Sequence, residues 1–385
     1  MDISLNNFFP KNANCNLMTI SNEVSKIKAI KAREILASGG APSLEVDVML
    51  DNGSMGQASV SYGESVGSKE AFVLLDNDKS RYGGKGMLKA VANVNEKIAP
   101  LIIGKDAGDQ RGIDKIMIDA DGTENKSNFG ANAILGVSMA VARAAAADAK
   151  LELYDYLTRM TLGGQGSSLL PHRLPKPMVV MIEGGVHADK STDLQEYLVS
   201  TLRDDMSAAE NIRMEMEIYE ALKKILKSIG LSTNVGNEGA FAPYGLASNE
   251  KPLEYLIEAI EQAGYKAGKD AGLSIDAAAS EFYKDGKYVL AAENKTLSPD
   301  KIIAKYAGWF KKYPIVALED GLSEFDWDNW PKLLQKSQDD SVRAQSRTDN
   351  IKIVADDLTV TNSKLWKKAI DMKAANAILI KLNQA

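Results

Sequence analysis

Apolar and polar residues alternate along 44–50, with Leu44, Val46, Val48 and Leu50 on one face. A period of two is the mark of a half-buried strand. Asp51-Asn52-Gly53 follows and supplies a tight turn, so residues 44–61 predict a β-hairpin. The preceding segment KIKAIKAREIL (26–36) suits a third strand or a short helix, and periodicity alone does not decide. From Phe129 to Lys150 the period changes. Ile134, Val137, Val141 and Ala145 recur at helical spacing within an Ala-rich stretch. A strand meander followed by helices predicts a small α+β domain over 26–162.

Residues 163–176, GGQGSSLLPHRLPK, are dense in Gly and Pro and have no period. They are the expected linker to a second domain, 177–385. That domain begins with two candidate strands, PMVVMIEGG and LQEYLVSTL. A long helix is predicted over Ser207–Ile229, with Ile212, Met216, Tyr219, Leu222, Leu226 and Ile229 as its apolar stripe and Gly230 at its end. A second helix is predicted near Pro252–Ala263. Four short apolar segments then each end on a charge: GLSIDAAAS on Asp276, PIVALEDGL on Glu319, IKIVADDLTV on Asp356 and NAILIKLNQ on Lys381. The order reads β, β, α, α, then βα repeated. A closed barrel of this kind needs eight strands, and six are predicted. An open barrel has two unpaired edges, which is an aggregation hazard.

Composition narrows the chemistry. The 385 residues are 45% hydrophobic and 25% charged, with a net charge of −6, so there is no cationic excess for nucleic acid. One cysteine, Cys15, excludes an internal disulfide framework and fits a reducing cytoplasm. Two histidines, His172 and His187, exclude a His-rich metal site. No apolar run has the length of a membrane span. Residues 1–25 are Asn-rich, without a basic start or apolar core. They are expected to be a disordered extension, or residues upstream of a start at Met18, and not a secretory signal.

Asp276, Glu319, Asp356 and Lys381 are separated by 43, 37 and 25 residues, each a fit to one strand–helix unit. A single strand-end carboxylate is ordinarily a helix cap. Three on one rim suit a hard divalent cation such as Mg2+. A lysine inside an apolar strand suits a general base, its ammonium pKa lowered by burial and a nearby cation. Other candidates are Ser65 between Gly63 and Gly67, in a loop able to close, and His187 after Gly184-Gly185. Gln195-Glu196 lies within an apolar strand and Glu238 in a glycine-flanked loop, where paired carboxylates can keep one protonated.

Four long stretches carry a family resemblance: DGTENKSNFGANAILGVS (121–138), NVGNEGAFAP (234–243), DAAASEFYKDGKY (276–288) and ADDLTVTN (355–362). Over about 26–385 the chain resembles enolase, the phosphopyruvate hydratase of glycolysis. The resemblance implies a small α+β domain followed by an enolase-type (β/α)8 barrel of ββαα(βα)n order, here incomplete. It implies two Mg2+ ions, one held by Asp276, Glu319 and Asp356 and a second assisted by Ser65. It implies Lys381 as the base on 2-phosphoglycerate, Glu238 as the acid with Glu196 beside it, and His187, Gln195, Glu196, Glu319 and Asp356 in contact with substrate. A lysine base working with magnesium is the established pattern of the enolase superfamily, not a deduction from these residues.

The chain also departs from the family pattern. Ser38-Gly39-Gly40-Ala41-Pro42 lacks the arginine of the SRGNP motif, which serves the expected homodimer interface. Tyr62-Gly63-Glu64-Ser65-Val66 replaces SGAST. Glu183 and Asp189 flank His187, with the potential to raise its pKa or repel a phosphate. Gly236-Asn237-Glu238-Gly239-Ala240-Phe241 keeps the acid but loses its aspartate neighbour. The family continues past KLNQ with two further βα units that grip phosphate, so the 385 residues are expected to be a fragment with impaired activity. The alternatives are a non-catalytic enolase-like binding protein or a superfamily member acting on another carboxylate. Retention of the chemistry-bearing groups favours the enzyme.

Overall fold

The computed structural model describes residues 25–60, 68–161, 173–246, 248–339 and 351–385. Residues 1–24 of the expected extension, 163–172 of the expected linker, and Ser65 lie outside them. The chain divides into two compact units, each with its own core.

In the first unit, β1 (Ile27–Leu36), β2 (Pro42–Leu50) and β3 (Met55–Ser59) form an antiparallel meander. The undecided segment 26–36 is thus a strand. Leu44, Val46, Val48 and Leu50 are fully buried, as the alternation requires. Helical segments α1 (Leu88–Ala92) and α2 (Ala99–Ile102) flank a π-helical turn at Asn93–Ile98. They are followed by α3 (Gln110–Asp121), α4 (Ala131–Asp148) and α5 (Leu153–Thr161). The Ala-rich face of α4 lets it lie close on the sheet. A Cβ on Gly56 of β3 would sit 2.2 Å from both Ala140 O and Ala144 N.

The DGTENKSNF stretch is a scaffolded turn. Buried Asp121 accepts hydrogen bonds from the Thr123 N–H at 3.1 Å and the Phe129 N–H at 2.6 Å, and its own carbonyl accepts from Asn128. The rare residue combination that carries the resemblance there therefore serves local folding.

The second unit follows the order β4 (Met178–Glu183), β5 (Glu196–Thr201), α6 (Ala208–Ser228), α7 (Lys251–Gln262), β6 (Ala271–Asp276), α8 (Pro299–Lys312), β10 (Ile315–Glu319), α9 (Trp330–Ser337), β11 (Lys352–Ala355), α10 (Ser363–Met372) and β12 (Ala377–Ile378). Its six-stranded sheet has the order β12-β11-β10-β6-β5-β4, antiparallel at β4–β5 and β5–β6 and parallel thereafter. This is the expected ββαα(βα)n order, and the sheet does not close among the described residues. A small sheet of β7 (Tyr283–Lys284), β8 (Lys287–Leu290) and β9 (Lys295–Leu297) was not foreseen. Among the described residues, no helix is long and apolar enough to cross a membrane.

Three expectations are corrected. First, Ile212, Met216 and Ile229 of the predicted stripe are exposed, while Asn211, Met214, Glu215, Ile218, Leu222, Ile225 and Leu226 are buried. Two polar residues, Asn211 and Glu215, sit on the buried face and disguised it. Second, the last segment is a strand only at Ala377–Ile378, and Lys381 lies three residues beyond. Third, the β4 edge is not bare. Phe241 donates to Met181 O at 3.0 Å and accepts from the Glu183 N–H at 2.9 Å.

Candidate active site

Strand register places carboxylates in a row across one end of the second unit's sheet. Glu183 pairs with Glu196, Glu196 with Asp276, and Asp276 with Glu319. Partners in register lie side by side, so four neighbouring strands bring four acids together. The turns beyond the strands carry left-handed backbone at Ala278 (φ 43°), Asp320 (φ 39°), Val360 (φ 40°) and Thr361 (φ 56°). Such strain in non-glycine residues gathers where a site is being shaped.

Carboxylate oxygens of Asp276, Glu319 and Asp320 lie within 4.8 Å of one another, as do those of Asp320, Asp356 and Asp357. Asp276 and Glu319 are thus together as foreseen, and Asp356 joins them through Asp320. The Asp320 carboxylate accepts the N–H groups of Asp356 (3.1 Å) and Asp357 (2.8 Å). Burial pushes Asp276 up to about 7, with Asp356 and Asp357 adding repulsion. Burial likewise raises Asp357 to about 7 and lifts Glu319 and Asp320 well above the carboxylate range. Buried acids that resist ionising together accept a dication in place of protons. Donors that are all oxygen suit Mg2+, so the residues fit that ion.

Lys381 Nζ donates to Asp356 Oδ2 at 2.5 Å, and Gln384 Nε2 donates to Asp356 Oδ1 at 2.8 Å. Burial acts to lower the ammonium's pKa, but the carboxylates of Asp356, Glu319 and Asp276 outweigh it and hold it above its ordinary value.

At the other end of the row, His187 Nδ1 is 3.5 Å from Glu196 Oε1 and 4.0 Å from Glu238 Oε1. Burial pushes Glu196 up to about 9, with repulsion from Asp276 and Glu238 contributing. Gln195 donates to Asp276 Oδ2 at 3.0 Å, and its own carbonyl oxygen has no partner. Glu183 neither pairs with His187 nor faces solvent. It is fully buried, and its Oε1 accepts the N–H groups of Glu238 (3.1 Å) and Ala240 (2.9 Å). A Cβ on Gly236 would lie 2.0 Å from Glu183 Oε2, so this glycine lets the loop that carries Glu238 pack against Glu183.

Sequence reasoning missed Asp320, Asp357, Glu183 as an anchor, and Gln384. The doubled acids Glu319-Asp320 and Asp356-Asp357 were the available signal. Alternation along a strand suggests that only one of each pair faces the site, and the left-handed turn at Asp320 defeats that rule. Ser65 lies outside the described residues, but Ser68 donates to Glu324 at 2.7 Å and Gln384 donates to Glu70 at 3.2 Å.

Comparison with family models gives two matches. Residues 27–157 match the enolase N-terminal domain, and residues 171–385 match the enolase C-terminal TIM barrel domain.

Proposed function

The chain belongs to the enolase family, and we propose that it catalyses the reversible dehydration of 2-phosphoglycerate to phosphoenolpyruvate in the cytoplasm, with two Mg2+ ions. The observation that carries this reading is the order of groups along the rim. A lysine stands at one end, a buried carboxylate set in the middle, and an acid pair beside a histidine at the other.

Asp276, Glu319 and Asp320, with Asp356 adjoining, are the groups to hold one Mg2+. The family pattern assigns Ser65 to the second. When bound, Mg2+ neutralises carboxylate charge on enzyme and substrate, which acidifies the C2 proton and loosens the pull on the Lys381 proton. Lys381, in its neutral form after giving its own proton to solvent, takes the C2 proton onto Nζ. The C2–H electron pair first delocalises into the substrate carboxylate as an enolate, from which return of a proton gives exchange, and then becomes the new C2–C3 π bond. The C3–O bond breaks as Glu238 protonates the departing hydroxyl, which leaves as water. Glu196, whose burial favours its protonated form, keeps a second negative charge away from Glu238. His187 and Gln195 contact the substrate, and Glu183 fixes the loop that carries Glu238.

Two readouts separate these roles. Solvent deuterium exchange at C2 reports the base, and formation of the enol phosphate reports the acid. Lys381→Ala is expected to abolish both, by roughly 10²–10⁴-fold if the lysine acts as a general base. Glu238→Gln is expected to retain exchange and lose elimination. Exchange that persists in Lys381→Ala would remove the lysine from the mechanism. Absence of both reactions from the parent protein would overturn the hydratase reading.

A further inference from the structure

We propose that Asn52 is a site of spontaneous deamidation, restrained by Asp148, and that the product loosens the β2–β3 hairpin from α4. Asn52 is the one asparagine in the chain that precedes a glycine. It stands exposed at the turn between β2 and β3. Gly53 has φ 90° and open space where a Cβ would be, so no side chain shields its nitrogen from the neighbouring amide. Asn52 Oδ1 accepts the Ser54 N–H at 2.9 Å. A backbone donor on that oxygen stabilises the charge that develops when the carbonyl is attacked. Two contacts oppose the reaction. The Gly53 N–H donates to Leu50 O at 3.1 Å, and Asn52 Nδ2 donates to Asp148 Oδ1, on the last residue of α4.

When the turn opens, Gly53 N gives its proton to solvent base and attacks Asn52 Cγ. The Cγ–Nδ2 bond breaks, and Nδ2 takes a proton from water and leaves as ammonia. The five-membered imide that remains takes up one water. Either of its two carbonyl–nitrogen bonds then opens, leaving isoaspartate or aspartate. Both products put a carboxylate where Asn52 held a neutral donor against Asp148. Like charges brought together by a modification push a contact apart, and a negative charge is also unfavourable at the C-terminal end of a helix. Isoaspartate further lengthens the main chain in the turn that sets the β2–β3 register. The hairpin lies directly on α4, where a Cβ on Gly56 would meet helix backbone at 2.2 Å. A displaced hairpin therefore weakens the core of the first unit.

The full chain is aged at mildly alkaline pH, mapped by peptide mass spectrometry, and assayed for isoaspartate by enzymatic methylation. The mass change of replacing NH by O is expected at residue 52, together with a lower melting temperature. Asn52→Gln, whose longer amide does not close the five-membered imide, is expected to keep its melting temperature through the same treatment. Asp148→Ala removes the restraint on Nδ2 and is expected to age faster, by roughly two- to tenfold, the weight of one hydrogen bond. Asp148→Asn keeps an acceptor but no charge, so its aged form is expected to lose less of its melting temperature than the aged parent. An unmodified residue 52 in the aged parent would overturn the site. An unchanged or slower rate in Asp148→Ala would overturn the restraint, and an aged parent that melts like fresh protein would overturn the loosening. None of these readouts uses turnover, so they stand apart from failure of the hydratase reading.

Discussion

Glu215 is fully buried on α6, and neither carboxylate oxygen has a partner. Burial alone pushes its pKa up to about 7. A carboxyl raised in the folded state binds more protons there than in the unfolded chain, so stability falls as pH rises. Its contribution is fully present below the ordinary glutamate pKa and is lost as pH rises to about 7. The penalty above that point is on the order of 3 kcal/mol. Glu215→Gln should therefore raise the melting temperature at pH above 7 and leave it nearly unchanged below pH 4, as thermal denaturation at both extremes will read. Glu183 is a second buried acid, but a partnered one. Glu183→Ala leaves two loop N–H groups without an acceptor, at about 1–3 kcal/mol for each that stays buried. Faster amide exchange at Glu238 and Ala240 is the expected sign, and unchanged protection would deny Glu183 its anchoring role. The identities of Lys381, Glu238 and the strand-end acids were legible one residue at a time. The partners of Glu183 were not, because a hydrogen bond across 55 residues leaves no local pattern.

At the scale of elements, periodicity read well wherever a buried face was uniformly apolar. β2 is such a case, and so is α4, where Ile134, Val137 and Val141 are buried as predicted. It failed on α6 because Asn211, which accepts from Thr201 Oγ1 at 2.8 Å, and Glu215 occupy the buried face. A polar side chain that finds a partner inside, or merely tolerates burial, breaks a pattern that assumes polar means exposed. It failed again at the C-terminal strand. Four of the six residues of ILIKLN are apolar, but Ile378, Ile380 and Leu382 are exposed. The contact of β3 with α4 sets a steric limit that composition does not reveal. Gly56→Ala forces a methyl into helix backbone at 2.2 Å, and overpacking of this kind costs typically 1–3 kcal/mol, here about the upper end or more. Denaturant unfolding of the first unit's signal will test this, and wild-type stability in the variant would mean that the sheet and helix separate freely.

For the molecule as a whole, the row of acids exists only because four strands pair in one register. A slip of one residue at β5–β6 would turn Glu196 away from Asp276.

By itself the sequence determined the alternation of strands and helices, the ββαα(βα)n order, the family, and the residues able to bind a cation or move a proton. Those depend on local periodicity and residue chemistry, which a linear string carries. Tertiary structure alone decided that Asp320 joins Asp276 and Glu319, that Lys381 holds a raised proton affinity against Asp356, that Glu183 accepts the N–H groups of the loop carrying Glu238, and that His187 is left facing two glutamates. Each of these follows from strand register, from a left-handed turn, or from burial among like charges. Those quantities exist only when segments far apart in the chain are brought within a few ångströms.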